Sequence, residues 1–126
     1  MGAEPYIAAL SQGADLILGG RTTATAVIGC FALWRGAQTA ASWHAAKVAE
    51  CGAQCTVNTG DGAGVLISVG ADGFEVEPLS PSNRCSPHSV SAHMLYENSN
   101  PFRLTEPGGV LDVTEATYTA VDERTV

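Results

Sequence analysis

The sequence predicts an α/β fold with two unlike halves: a short parallel-sheet α/β N-terminal half, then a β-hairpin-rich α+β half. Three observations carry this reading. Residues 5–35 run in the order helix, short apolar run, glycine loop, helix, which is the pattern of an α/β unit. Helix signals end near Gly52, and turn-rich strand signals take over. Ala71-Asp72-Gly73 lies between two strand-like runs, where a hairpin turn belongs.

The elements follow in chain order. Pro5 suits the first turn of a helix that continues to Gln12 and stops at Gly13. Ala14-Asp15-Leu16-Ile17-Leu18 is a short apolar run bounded by glycines, which predicts a buried parallel strand. A tight loop over 19–23 leads into a second helix, 24–35, closed by Gly36. Ser42 is the expected cap of a third helix, 43–51, with Gly52 ending it. Residues 65–69 and 74–78 are the hairpin strands. Ser89 is the expected cap of a further helix reaching about Glu97, with Val90, His93, Met94 and Glu97 on one face. Residues 110–113, 117–121 and 124–126 read as β segments.

At 126 residues the chain is expected to form one domain. Its first strand lacks visible neighbours, and it starts on a helix and stops in what reads as a strand. The sequence therefore predicts a segment of a longer architecture, acting as a homo-oligomer or with a missing partner segment. The net charge of −7 arises entirely after Gly60, since three acids and three bases balance before it. An acidic chain with no basic stripe repels phosphate backbones and anionic lipid surfaces, so no nucleic-acid or membrane partner is expected. No apolar run approaches the ~20 residues a membrane span needs. Cys30, Cys51, Cys55 and Cys85 have neither a secretory leader nor ligand spacing beside them. They are expected to be reduced thiols of a cytoplasmic protein, with no metal.

Two stretches offer chemistry. In the first, Gly20 gives a ligand close access to the backbone, Thr22 and Thr23 bring hydroxyls, and Arg21 brings a planar cation suited to a carboxylate or phosphate. A helix N-terminus follows directly, which adds free N–H groups. The second stretch, 83–89, joins Arg84, Cys85, Ser86, His88 and Ser89 ahead of another helix start. There His88 is the candidate acid/base, Cys85 the candidate nucleophile, and Arg84, Ser86 and Ser89 the anion ligands. Glu50 and Glu106, each beside a glycine-bearing turn, are candidate general bases. Gly60-Asp61-Gly62-Ala63-Gly64 leads into a strand, not a helix, so it is no dinucleotide fingerprint, and no cofactor is expected.

Four collinear segments resemble the acyclic terpene utilisation (AtuA-type) family. They are Gly-Ala-Glu-Pro at 2–5, Gly-Ala-Asp-Leu-Ile-Leu-Gly-Gly-Arg at 13–21 and Glu-Cys-Gly-Ala-Gln at 50–54. The fourth runs from Arg84 through Ser-Ala-His-Met-Leu-Tyr-Glu to Leu-Thr-Glu-Pro-Gly-Gly-Val-Leu-Asp-Val, ending at Val113. Members are several-fold longer, and the resemblance is to their middle portion. It implies an enzyme of small organic acid or isoprenoid acid catabolism, with a carboxylate or CoA ester as substrate. The family pattern has an Asp shortly after Gly-Arg where this chain has Ala24, which implies a copy that binds without turning over if that Asp is catalytic.

The leading expectation is a hydratase or lyase in which Arg21 and Arg84 hold the anion and Glu50 or His88 moves the proton. One alternative is a small esterase-like hydrolase using Cys85 or a serine with His88. Another is a non-catalytic subunit or self-assembling fragment.

Overall fold

A computed structural model describes residues 1–96 and 98–126. Its elements are α1 (Glu4–Ser11), α2 (Ala24–Trp34), α3 (Thr39–Ala49), a 3-10 turn (Gly52–Cys55), β1 (Val65–Val69), β2 (Phe74–Pro78), α4 (Pro87–His93), β3 (Arg103–Glu106) and β4 (Gly109–Asp112). The fold is α+β: helices pack beside two small antiparallel hairpins, β1–β2 and β3–β4.

The expected parallel strand is not formed. Residues 14–18 carry no ladder, and Leu16 and Leu18 are 78% and 89% exposed while Ile17 packs inward on α1 and α2. A strand exists only through a neighbour's hydrogen bonds. Both sheets among the described residues are closed hairpins that do not reach this run. The β1–β2 hairpin forms over the expected residues, with Val65 opposite Pro78 and Val69 opposite Phe74. On the other side of β2, Val126 exchanges both backbone hydrogen bonds with Val76, at 2.8 and 3.1 Å. The last residues thus extend the sheet by one bridge-like pair, without the strand expected over 124–126. Residues 117–121 are likewise irregular.

Two caps differ from expectation. Gln38 caps α3, its Oε1 accepting from the Ala41 N–H at 2.5 Å, whereas Ser42 is buried inside the helix and donates to the Gln38 carbonyl. Ser86 caps α4 in a reciprocal box: its hydroxyl accepts from the Ser89 N–H, and the Ser89 hydroxyl accepts from the Ser86 N–H, each at 3.0 Å. Ser89 is therefore the third residue of the box, and the cap lies three residues earlier than expected. The helix ends at His93, and Glu97 lies outside the described residues.

Small residues set the helix spacing. A Cβ on Gly29 would come within 3.3 Å of Ala46 Cβ and 3.6 Å of the Ser42 carbonyl, so α2 and α3 meet almost backbone to backbone. The larger core gathers Val48, Cys55, Val76, Val90, Met94 and Leu104 from α3, the 3-10 turn, β2, α4 and β3. A smaller one joins Ala3, Tyr6, Ala26 and Cys30 between α1 and α2. Trp43 on α3 packs against both, making α3 the element that joins them. No helix among the described residues is long and apolar enough to cross a membrane.

Candidate active site

The N-terminal face brings distant segments together. The Thr22 hydroxyl donates to the Met1 carbonyl at 2.9 Å, fastening the loop over 19–23 to the segment that precedes α1. Thr23 caps α2, its Oγ1 accepting from the Ala26 N–H at 3.2 Å. Gly19 rests on the buried Tyr6 hydroxyl, where any Cβ would collide with that oxygen, while Gly20 faces open space. Arg21 is exposed and has no polar partner among the described residues.

Across this face lies the β3–β4 turn. The Glu4 carboxylate spans Gly2 and Gly108: a Cβ on Gly2 would meet Glu4 Oε2 at 2.5 Å and Pro107 Cβ at 3.2 Å, and one on Gly108 would meet Glu4 Oε1 at 3.6 Å. Gly108 has a φ of +94°, which the tight turn requires and an L side chain resists. Glu4 and Glu106 both line a cleft of about 600 Å³, together with Gln38, Trp43 and Gly109. Glu106 Oε2 is buried and has no hydrogen-bond partner. A carboxylate oxygen so placed has given up water without gaining a protein partner, which is one mark of a group that does chemistry.

Glu50, the C-cap residue of α3, sits in a network of its own. Its Oε2 accepts from the Thr25 hydroxyl at 2.7 Å, and its Oε1 pairs with the Lys47 ammonium. His93 from α4 completes the group; burial pushes its imidazole below the usual range, the Glu50 charge acting in the opposite sense. Both Glu50 oxygens are thus occupied, and the side chains of Glu50 and Lys47 are only 15% and 13% exposed.

The stretch over 83–89 is largely structural. Asn83 is buried: its amide donates to Thr56 Oγ1 at 2.8 Å, the Asn58 carbonyl at 3.0 Å and Asp61 Oδ2 at 3.1 Å. Its Oδ1 accepts from the Asn58 and Arg84 N–H groups. Arg84 and His88 are exposed, and no contact joins His88 to Cys85 among the described residues. Cys85 is buried against Cys55. The thiol–thiol hydrogen bond between them raises the pKa of Cys55 and lowers that of Cys85, with the Arg124 charge adding to the second effect. No disulfide joins any of the four cysteines, and among the described residues no group of three or more His, Cys, Asp or Glu side chains is placed to hold a metal ion.

The sequence profile of acyclic terpene utilisation family protein AtuA matches residues 1–126, the whole chain. The chain belongs to this family. No curated protein and no solved structure gives a significant match. Three of the four AtuA-like segments noted in the sequence meet on the face just described. Residues 2–5 contribute Glu4, residues 13–21 the glycine loop, and the end of the fourth segment Glu106 and Gly108. The remaining segment, 50–54, contributes Glu50, which is held by Thr25 and Lys47. Of the three carboxylates that line the cleft, Glu4, Glu106 and Asp112, Glu106 had a local signal, its glycine turn. Glu4 had none beyond the family resemblance, because its partner lies a hundred residues away in sequence.

Proposed function

We propose that this AtuA-family chain carries the acid/base site of a hydratase or lyase acting on a small carboxylate or CoA ester in isoprenoid-acid breakdown. Family membership supports the metabolic setting. The single observation that supports the chemistry is the buried, unpartnered Glu106 Oε2 in a cleft shared with Glu4. Adding water to a conjugated thioester needs one group to take a proton from water as its oxygen bonds the β-carbon, and another to give a proton to the α-carbon. Elimination is the reverse. A pair of carboxyl groups can share these two tasks. Glu106 is the base in this reading, since its unpartnered oxygen can accept the proton, and Glu4 is the second carboxyl group within the same cleft.

Glu50 is a positioning residue, its two oxygens being held by Thr25 and Lys47. The anionic end of the substrate goes to the α2 entrance, where Arg21 is free of described partners and the Thr22 bond to Met1 keeps the loop beside the Glu4 segment. The test is turnover of branched 2-enoyl-CoA thioesters, followed by loss of the enoyl absorbance. Hydration by the wild type, with a raised KM and little change in kcat in Arg21→Met, supports the reading. Unchanged kinetics in Arg21→Met would remove Arg21 from it, and no turnover of any member of the series would overturn the reaction class.

A further inference from the structure

A second cleft, of about 490 Å³, adjoins the first, the two sharing Gln38, Ala40, Leu111 and Asp112, and opens between the β1–β2 hairpin and the irregular residues that follow β4. This volume is within the ordinary range of small-molecule sites. Its polar feature is a dyad absent from the reading of the sequence: His44 Nε2 lies 2.9 Å from the Tyr118 hydroxyl. The His44 ring stands edge-on to both Phe74, at 5.0 Å between centroids, and Tyr118, at 5.6 Å. Burial lowers the His44 pKa to about 4 and raises that of Tyr118, so both rings are neutral at pH 7. The floor is apolar, with Val76 and Val90 from the larger core.

The charged residues around the cleft are Asp72, Asp112 and Glu115, and neither Lys nor Arg lines it. The Thr114 hydroxyl and N–H hold the Asp112 carboxyl below its usual range, which keeps it ionised. Part of that charge is answered by Arg103, 3.0 Å away, while Asp72 and Glu115 have no ion-pair partner among the described residues. An anion entering here meets repulsion, whereas a cation meets carboxylates and the faces of aromatic rings.

We propose that this cleft is a second binding site, adjoining the Glu4–Glu106 cleft, and that it takes a small organic ammonium ion with an apolar body. The ammonium group sits between Asp72 and Glu115 at the rim, and the body lies over Phe74 and Tyr118. Isothermal titration with three probes of one shape tests this: 2-phenylethylammonium, 3-phenylpropanoate and 2-phenylethanol, at matched ionic strength. The ammonium probe should bind saturably and at least about tenfold tighter than the carboxylate, since the rim carboxylates attract one probe and repel the other. Asp72→Asn and Glu115→Gln, both at exposed positions in turns, should each weaken it about two- to fivefold. Equal binding of the carboxylate, no saturation with the ammonium probe, or unchanged affinity in the double variant would each overturn the proposal.

Discussion

The Thr25 hydroxyl lies 2.7 Å from Glu50 Oε2, joining the first turn of α2 to the end of α3. Thr25 is 1% exposed, so the bond is shielded from water. With Lys47 on the other oxygen, it fixes the Glu50 carboxylate between two helices that meet through Gly29 and Ala46. Hydrogen bonds to a charged group are the stronger kind. Thr25→Ala is expected to cost about 1.5–3 kcal/mol in urea unfolding, and Thr25→Ser clearly less, because serine keeps the hydroxyl. Equal losses in the two variants would mean that the threonine acts through its methyl group.

Acid should loosen the fold before its carboxylates titrate. The folded pKa of His44 is about 4, against 6.5 for the free side chain, because burial disfavours the imidazolium. A depressed histidine binds more protons unfolded than folded, so stability is full above pH 6.5 and falls as pH drops toward 4. For His44 alone the loss across that window is on the order of 3 kcal/mol. His93, also lowered by burial, acts in the same direction. Denaturant melts at several pH values should show this slope, and His44→Phe should flatten it. A variant with the wild-type slope would place the proton uptake elsewhere.

Asn83 makes the local case for structure over chemistry. Its side chain satisfies the backbone of Asn58 and Arg84, the hydroxyl of Thr56 and the carboxylate of Asp61. Asn83→Ala orphans several of these at once and is expected to destabilise by about 3–4 kcal/mol. His88→Ala, at an exposed side chain, should lie within about 0.5 kcal/mol of wild type. Thermal midpoints of the two variants measure the contrast, and a similar drop in both would give His88 a structural role.

Local rules read from the sequence reached the helices and the β1–β2 hairpin, because caps, glycine stops and a turn tripeptide act within a few residues. They failed where partners are distant. Residues 14–18 have the composition of a buried strand, yet a strand is a property of a pair, and Leu16 and Leu18 point to solvent. Strand β3 was missed because Arg103-Leu104-Thr105-Glu106 shows weak patterning, and it is held by pairing with β4 across the Pro107-Gly108 turn. The site divides in the same way. Arg21 and the Gly19–Gly20 pair were visible as a loop before a helix. The meeting of Glu4 with the Glu106 turn, and of His44 with Tyr118, depends on long-range packing that no local spacing encodes.

Steady-state hydration of a branched 2-enoyl-CoA by Glu106→Gln, beside Glu50→Gln and wild type, tests the assignment of the base most directly. Glutamine keeps the shape of the side chain but cannot take the proton. Glu106→Gln should therefore lose about 10²–10⁴-fold in kcat with an unchanged thermal midpoint, while Glu50→Gln, at a carboxylate already held by Thr25 and Lys47, should lose far less. A Glu106→Gln protein that hydrates at the wild-type rate would contradict the assignment outright.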